Sequence, residues 1–312
     1  MFPKPSESTD LFGMNRHFNE ITRLYNKGNM PNKILLSGKK GLGKSTLAYH
    51  IINYILSLNE DHKYDLNNCK IHEENKSYKL VQNYSHPNFY LIDLIDNKKN
   101  IDVAQIREMI TYTNKSSFNN TPRFILIDNI ENLNKNSVNA LLKIIEDPND
   151  KIFFILINNN EKKVLPTLKS RCLTFKINFT FEETIDVTNK LLKKNIFEII
   201  NTDILNYYIT PGEIINLVLL SEDKGIDLKK ISLSELLKVL IDNHHYKKNK
   251  LIKNFIINFI ELFFLKEYMI NKSKKNIFYF YQIFIYKIHN VEKFNLDEES
   301  LFLEFKFKLL NE

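Results

Sequence analysis

Cysteine is scarce in this sequence, with Cys69 and Cys172 the only two among 312 residues. Two cysteines can close one bridge at most, which excludes a small domain built on a disulfide framework. The scarcity is typical of proteins in a reducing compartment, so we expect a cytoplasmic location. Residues 1–5 (MFPKP) also lack the apolar core of a signal peptide, so no secretory leader is expected.

Long hydrophobic runs are missing as well. The most apolar stretches, residues 252–270 and 277–288, are too short to cross a bilayer or are interrupted by polar side chains. The interrupting residues are Lys253, Glu261, Lys266 and Gln282. We therefore interpret both stretches as helices with buried faces, and we expect no membrane partner.

Glycine and proline are rare, at 7 and 8 residues, which favours helices over long irregular segments. With 43% apolar and 26% charged residues, the composition is that of an ordinary globular protein. The formal charge is +7, but the lysines are scattered along the chain. A nucleic-acid surface requires clustered positive charge, so charge alone leaves direct DNA contact open.

Three of the seven glycines fall in one segment, residues 38–45 (GKKGLGKS), which matches the phosphate-binding P-loop pattern. The apolar run before it, residues 33–37, predicts a buried strand. After it, apolar residues recur at helical spacing through residues 45–58. Because a P-loop needs strand, glycine-rich turn and helix in this order, we favour it over a glycine-rich turn with an incidental lysine.

In a P-loop, glycines let several backbone N–H groups point at one anion, and the next helix adds its positive end. We expect Lys44 to contact the β- and γ-phosphates of ATP and the Ser45 hydroxyl to hold Mg²⁺. A second metal-holding group is expected at Asp128, after the apolar residues 124–127, although a turn residue capping a buried strand is the alternative. The candidate nucleotide-binding residues are Gly38, Gly41, Leu42, Gly43, Lys44, Ser45, Thr46, Asp128 and Asn158.

Alternating strand and helix patterns predict the fold class. Further strands are predicted at residues 89–95, 124–128, 152–158 and 173–177, and helices at residues 103–113 and 135–146. This alternation predicts an α/β P-loop core with a parallel, doubly wound sheet. The polar residues 59–85 predict an inserted loop.

Strand patterns fade after about residue 178, and helical patterns take over. Helices are predicted at residues 181–195 and 196–220, with a turn at 210–212 (TPG) inside the second. The remaining residues are almost wholly helical, with turns near 271–273 and 295. We expect three parts, namely a nucleotide-binding core at 1–178, a helical lid at 179–222 and an all-α collar for oligomerisation at 232–312.

Two segments of the core carry a specific pattern, residues 139–148 (NALLKIIEDP) and residues 165–172 (LPTLKSRC). With them, the chain resembles the clamp-loader subunits of the AAA+ class. Residues 11–13 (LFG), the pair His86-Pro87 and residues 101–107 (IDVAQIR) fit as well. The resemblance is specific over residues 1–178, weak over 179–222, and rests on position and helical class beyond.

Within that family the chain resembles the delta-prime type of bacterial DNA polymerase III more than the gamma/tau type, which hydrolyses ATP. AAA+ ATPases place a water-activating Glu after the metal-holding Asp, but Asn129 stands there, and an amide cannot act as that base. Glu131 is expected to point elsewhere. In the lid, Glu213 stands where many relatives carry an Arg that senses the γ-phosphate, and a carboxylate would repel that phosphate.

The cysteines complete the comparison. The gamma/tau type carries four cysteines in the insertion, whereas here Cys69 has only His72 and His62 near it in the sequence. No structural zinc is expected, since a lone C-x-x-H does not provide the set of four ligands that a structural zinc requires. Cys172 has no nearby catalytic His and is interpreted as a small buried residue.

The resemblance implies that Arg171, in the SRC segment, acts in trans on the ATP site of a neighbouring subunit. Read alone, an exposed Arg is more often solvated or locally ion-paired. Asn158 or Asn159 is expected in the sensor-1 region, or else as a strand-end turn. The implied partners are gamma/tau- and delta-type subunits and, through the complex, the sliding clamp and primer-template DNA, with ATP and Mg²⁺ as possible ligands.

Two alternatives stay open at this point. The chain could itself be an ATP-hydrolysing gamma/tau-type motor, against which Asn129 argues. It could also be an unrelated P-loop kinase or GTPase, but that class explains neither the NALLK nor the SRC segment, and no NKxD-like base-recognition motif is suitably placed.

Overall fold

The computed structural model describes residues 2–95, 98–115, 121–146, 151–160, 162, 164–206, 208–247, 249–270, 275–294 and 296–310. The chain divides into two compact units. The first comprises Met1–Leu191 with Thr210–Ile215, and the second comprises Leu192–Ile209 with Asn216–Glu312. The division into core, lid and collar stays a prediction.

Within the described residues, five strands of the first unit form one parallel sheet in the order β2-β3-β4-β1-β5. The strands are β1 (Lys33–Ser37), β2 (Phe89–Ile92), β3 (Arg123–Ile127), β4 (Ile152–Asn158) and β5 (Leu173–Lys176). The predicted α/β fold class with a parallel sheet is confirmed. All five residues of β3 are buried, as expected for a strand covered on both faces.

The helices of this unit alternate with the strands. They are α1 (Asn15–Asn26), α2 (Lys44–Leu56), α3 (Lys76–Gln82), α4 (Val103–Asn114), α5 (Lys135–Glu146), α6 (Pro166–Lys169) and α7 (Phe181–Leu192). Successive side chains of β1 point to opposite faces of the sheet. Ile34 and Leu36 pack in a core with α1 and α2, and Leu35 packs in a second core with α4 and α5. The sheet is therefore a middle layer between helices.

The prediction of a plain loop at residues 59–85 is wrong in part, because α3 lies within it. The Asn75 side chain accepts a hydrogen bond from the Tyr78 backbone N–H, and the Glu60 carboxylate accepts from the N–H groups of Lys76 and Ser77. Both acceptors satisfy N–H groups that a helix start leaves unpaired. A cap supplied by Glu60, 16 residues before Lys76, is not visible in a local pattern.

The helix predicted at residues 196–220, with a turn at 210–212, is wrong in part, since the segment is also broken before that turn. A short helix α8 (Ile196–Ile199) and a 3₁₀ turn (Thr202–Ile204) precede α9 (Pro211–Lys224). The side chains of Asn195 and Asn201 each cap a new helical start, which interrupts the segment. Proline is well suited to the first position of a helix, so α9 begins at Pro211.

The second unit is helical. It contains α8, most of α9, then α10 (Leu233–Asp242), α11 (Lys250–Ile270), α12 (Lys275–Phe294), α13 (Glu298–Phe305) and a π-helical end (Lys306–Leu310). Aromatic rings form much of its core, with Phe264 contacting Phe284 and Phe305. The turns predicted near residues 271–273 and 295 lie outside the described residues. No helix in the described part of the chain has the length and apolarity that spanning a bilayer requires.

Candidate nucleotide-binding site

The loop between β1 and α2 has P-loop geometry. Gly41 has a φ of 84°, in the left-handed region that side chains other than glycine rarely adopt. At Gly38, a Cβ atom would come within 2.2 Å of the Ile177 carbonyl oxygen. These two positions therefore require glycine, one for its backbone conformation and one because a neighbouring strand end lies so close. α2 begins at Lys44, so its N-terminal end faces the loop.

Lys44 and Ser45 lie beside each other at the start of α2 and have specific partners. Lys44 is buried, and its Nζ donates to the Lys39 carbonyl oxygen at 2.7 Å. The Ser45 hydroxyl donates to Oδ2 of Asp128 at 2.5 Å. The structure thus brings together the three residues for which the sequence predicts phosphate and metal contacts. A hydroxyl and a carboxylate oxygen are the hard ligands that Mg²⁺ prefers, so the donor set fits this ion.

A cavity of about 340 Å³ opens beside the loop, within the range of small-molecule sites. Its polar end is formed by residues 40–46 with Asp128, Asn129 and Asn159. The rest of its lining is mostly apolar but includes two polar side chains. It consists of Phe2, Pro3, Pro5, Ser8, Asp10, Leu11, Phe12, Met14, Val187, Leu191, Pro211, Gly212 and Ile215. A cavity with P-loop residues at one end and mostly apolar residues in the rest of its lining would suit a phosphate chain joined to a flat base. Apart from residues 11–13, sequence reasoning missed the N-terminal part of this lining.

The N-terminal end of α9 is fastened to the P-loop. The Thr210 hydroxyl donates to the Lys40 carbonyl oxygen at 3.0 Å, and the Gly212 N–H donates to the Gly41 carbonyl oxygen at 2.9 Å. The Glu213 carboxylate pairs with the Lys39 ammonium at 3.0 Å. Glu213, which is expected from the sequence to repel the γ-phosphate, therefore has Lys39 as its counter-ion. This pairing would lower the repulsion between the carboxylate and a bound anion.

Asp93 is a site residue that sequence reasoning missed. Its carboxylate accepts a hydrogen bond from the Asn129 amide at 2.6 Å. The oxygen of that amide accepts from the Asn159 amide at 2.9 Å, so a chain of polar groups joins the ends of β2, β3 and β4. Burial raises the pKa of Asp93, and the nearby Asp128 charge adds to the rise. A signal was available, since an apolar strand precedes Asp93 as one precedes Asp128.

The two asparagines at the end of β4, Asn158 within the strand and Asn159 after it, have different surroundings. Asn158 is buried, and its amide donates to the Ser37 hydroxyl and to Asn160. Asn159 lies in the cavity wall instead. The buried Glu131 carboxylate accepts a hydrogen bond from the Asn159 backbone N–H at 3.2 Å, which holds the backbone at the end of this strand. Asn159 therefore fits a contact with bound nucleotide better than Asn158 does.

Arg171 lies at the surface after α6. Its Nη2 pairs with Glu146 Oε1 at 2.8 Å, and its Nη1 donates to the Thr167 carbonyl oxygen at 2.8 Å. Among the described residues that line the cavity, Arg171 does not occur. The guanidinium is thus held by its own chain, away from the chain's own P-loop. The residues Asp147 and Pro148 of the motif before it lie outside the described residues.

Neither cysteine has the environment of a reactive or metal-binding thiol. Burial raises the pKa of Cys172 to about 11, which keeps it a thiol. Burial likewise raises the pKa of Cys69, whose sulfur donates to the Leu66 carbonyl oxygen. The rings of His62 and His72 stack 4.5 Å apart. In the described part of the chain, no three His, Cys, Asp or Glu side chains converge on a common point as metal ligands do.

Comparison with known proteins is consistent with this geometry. The family model described as DNA polymerase III, delta subunit, matches residues 13–180. The DNA polymerase III subunit delta′ of Buchnera aphidicola (Schizaphis graminum) is 30% identical over 167 residues, which are 53% of this chain and 48% of that protein. The subunit gamma of the same organism is 31% identical over 193 residues, covering 61% of this chain and 50% of the relative.

The subunit delta′ of Pseudomonas aeruginosa is 29% identical over 139 residues, or 45% of this chain and 40% of that protein. The chain spans about half the length of the curated relatives it matches. The matching region contains the P-loop, Asp128 and the SRC segment, so the resemblance predicted from these motifs is confirmed. Because the family model covers more than half of the chain, the chain belongs to the DNA polymerase III delta subunit family.

Proposed function

We propose that this chain is a delta-prime-type subunit of a clamp loader, which binds nucleotide with little hydrolysis of its own and completes the ATP site of a neighbouring subunit. The observation that carries the proposal is that both ends of the Asn129 side-chain amide are hydrogen-bonded within the chain. Its amide donates to Asp93 and accepts from Asn159, so its nitrogen and its oxygen are both engaged within the chain. A group that is neutral and already bonded in this way cannot take a proton from an attacking water.

Nucleotide binding rests on the loop and its neighbours. On binding ATP, the Lys44 ammonium would exchange the Lys39 carbonyl oxygen for a phosphate oxygen, and the loop N–H groups would donate to the phosphates. Ser45 and Asp128 would hold Mg²⁺, which would neutralise phosphate charge there. Residues Gly38, Gly41, Leu42, Gly43 and Thr46 shape the loop and the helix start. Charge-assisted hydrogen bonds of this kind contribute about 1.5–3 kcal/mol each.

The proposed partners are those of a clamp-loading assembly. Gamma/tau- and delta-type subunits would flank this chain, with residues 232–312 in the oligomeric collar and Arg171 facing a neighbour's ATP. Through the assembly, the chain would help load the sliding clamp onto primed DNA in the cytoplasm. Support comes from the family, from the curated relatives named delta′, and from the surface position of Arg171.

A second function, that of an ATP-hydrolysing gamma/tau-type motor, is favoured by one observation. A relative named subunit gamma matches 61% of this chain, more than the 53% matched by the first delta′ relative. The two functions differ in what the isolated chain does with ATP, because only the motor needs its own catalytic base.

The experiment that separates them measures ATP binding and steady-state ATP turnover by the isolated chain and its Lys44→Ala variant. We expect the wild-type chain to bind a fluorescent ATP analogue and the variant to lose that binding. We expect no difference in turnover between them. Turnover that Lys44→Ala abolishes would establish the motor, and failure to form a complex with gamma- and delta-type subunits would overturn both functions.

Introducing a carboxylate at position 129 is expected to destabilise the fold. Asn129→Glu removes the N–H donor to Asp93 and sets two carboxylates against each other, at a cost of about 1–3 kcal/mol. Asn129→Gln is the matched control, since it shares the longer side chain and the left-handed backbone at this position. Denaturant unfolding should show Asn129→Glu as the less stable variant. Adding Asp93→Asn should remove the difference, and a persistent difference would contradict this account.

A further inference from the structure

The ion pair between Arg171 and Glu146 joins the two segments that define the family resemblance. Glu146 is the last described residue of α5, which contains the NALLK pattern, and Arg171 belongs to SRC. The sequence separation is 25 residues, so neither local pattern predicts the contact. One guanidinium nitrogen binds Glu146 Oε1 and the other binds the Thr167 carbonyl oxygen, each at 2.8 Å. The guanidinium is therefore held at both of its terminal nitrogens.

These two bonds leave the Arg171 side chain partly open to solvent. Its exposed fraction is 37%, and that of Glu146 is 54%. A guanidinium has five N–H donors, and the two bonds use one donor on each terminal nitrogen. The other hydrogens on these nitrogens are fixed in direction by the plane of the group. An exposed ion pair contributes little to the free energy of unfolding, so stability by itself does not account for the arrangement.

We infer that Glu146 is a positioning residue for Arg171. It holds the guanidinium in one pose at the surface, so that the group is pre-arranged to meet a phosphate of a neighbouring subunit. An unrestrained arginine populates many rotamers and must lose that freedom in the transition state. Because the bonds to Glu146 and Thr167 already restrict the side chain, less conformational entropy remains to be lost when the transition state forms. This inference rests on the proposed function, in which Arg171 acts in trans.

The test uses the assembled complex with gamma- and delta-type subunits, and it measures kcat and KM for ATP. Glu146→Gln keeps the size of the side chain and removes its charge. We expect kcat to fall about threefold to tenfold, the effect of freeing one long side chain, with KM unchanged. Glu146→Asp should recover most of the rate. The matched control is Glu74→Gln, which removes another exposed ion pair, that with Lys79 at 2.7 Å.

The double variant Glu146→Gln with Arg171→Ala identifies the route of the effect. If Glu146 acts through Arg171, the double variant should be no slower than Arg171→Ala alone. Three outcomes would overturn the inference. The effects of the two substitutions could multiply in the double variant, Glu146→Gln could be as active as the Glu74→Gln control, or Glu146→Gln could be faster than wild type. An Arg171→Ala complex with normal activity would instead overturn the proposed function of Arg171, and this inference with it.

Discussion

Replacing Arg171 by Ala is expected to lower the ATPase rate of the assembled complex by about 10³-fold or more, the usual contribution of an arginine finger. The reason is that the guanidinium would neutralise charge that develops on the transferred phosphoryl group. Arg171 has no contact with the cavity of its own chain, so its effect should appear only in the complex. Lys44→Ala should depress the same rate less, because under the proposed function this chain's own site contributes little turnover.

The comparison needs an exposed arginine as control and a check on folding. Arg16 is exposed on α1, and Arg16→Ala should leave the rate unchanged. Because the Arg171–Glu146 pair is exposed, its loss should alter the free energy of unfolding by less than about 1 kcal/mol. A complex that hydrolyses ATP equally well with and without Arg171 would count decisively against the proposed assignment.

Acidification from about pH 7.5 to about pH 4.5 is expected to lower the free energy of unfolding of the first unit, which contains the P-loop, by about 2.5 kcal/mol through His50 alone. This side chain is fully buried on α2. Its Nε2 bonds the Ser8 carbonyl oxygen at 3.1 Å and must carry the proton there, so Nδ1 accepts from the Tyr64 hydroxyl at 2.8 Å. Burial lowers the pKa of His50 from 6.5 to about 4.

The sign follows from proton binding. Between the unfolded pKa of 6.5 and the folded pKa of about 4, the unfolded chain binds the proton and the folded chain does not. Stability is therefore present above the unfolded pKa and is lost as the pH falls through this window. Below about pH 4 both states are protonated, and the loss caused by His50 no longer grows.

Denaturant unfolding of wild type and His50→Gln across this range provides the measurement. Glutamine keeps a donor and an acceptor but has no titrating proton, and the contribution of carboxylates cancels in the comparison. The wild-type chain should lose about 2.5 kcal/mol more than the variant. NMR titration of the His50 ring should give a midpoint near pH 4. A midpoint at the ordinary histidine value would contradict the prediction.

The sheet and the P-loop could be predicted because their signals are local. Strands β1 and β4 and helix α5 have the predicted bounds, since unbroken apolar runs and helical periodicity depend on neighbours a few residues away. The pairing of Ser45 with Asp128 was also foreseeable. Parallel strands end at one edge of a sheet, so a carboxylate after one strand lies near a loop after another.

The contacts made across long separations could not be predicted. Glu213 lies 174 residues from Lys39, and no pattern near either residue indicates that a lid carboxylate has a lysine as its counter-ion. Asp93 reaches Asn129 only because β2 and β3 are neighbours in the sheet. The cap that Glu60 provides for α3 depends likewise on how the insertion folds back.

By itself, the sequence determined the fold class, the P-loop, the family and the residue types on which the proposed chemistry rests. Each of these depends on the spacing of residues close together in the chain, and that spacing is visible in the sequence. The tertiary structure alone decided which groups are already bonded: Asn129 to Asp93, Glu213 to Lys39, and Arg171 to Glu146. The physical reason is that a hydrogen bond or ion pair depends on distance in space, which packing sets across segments far apart in the chain. That distinction gives Asn129 and Arg171 their proposed opposite roles, one held neutral within the site and the other held at the surface.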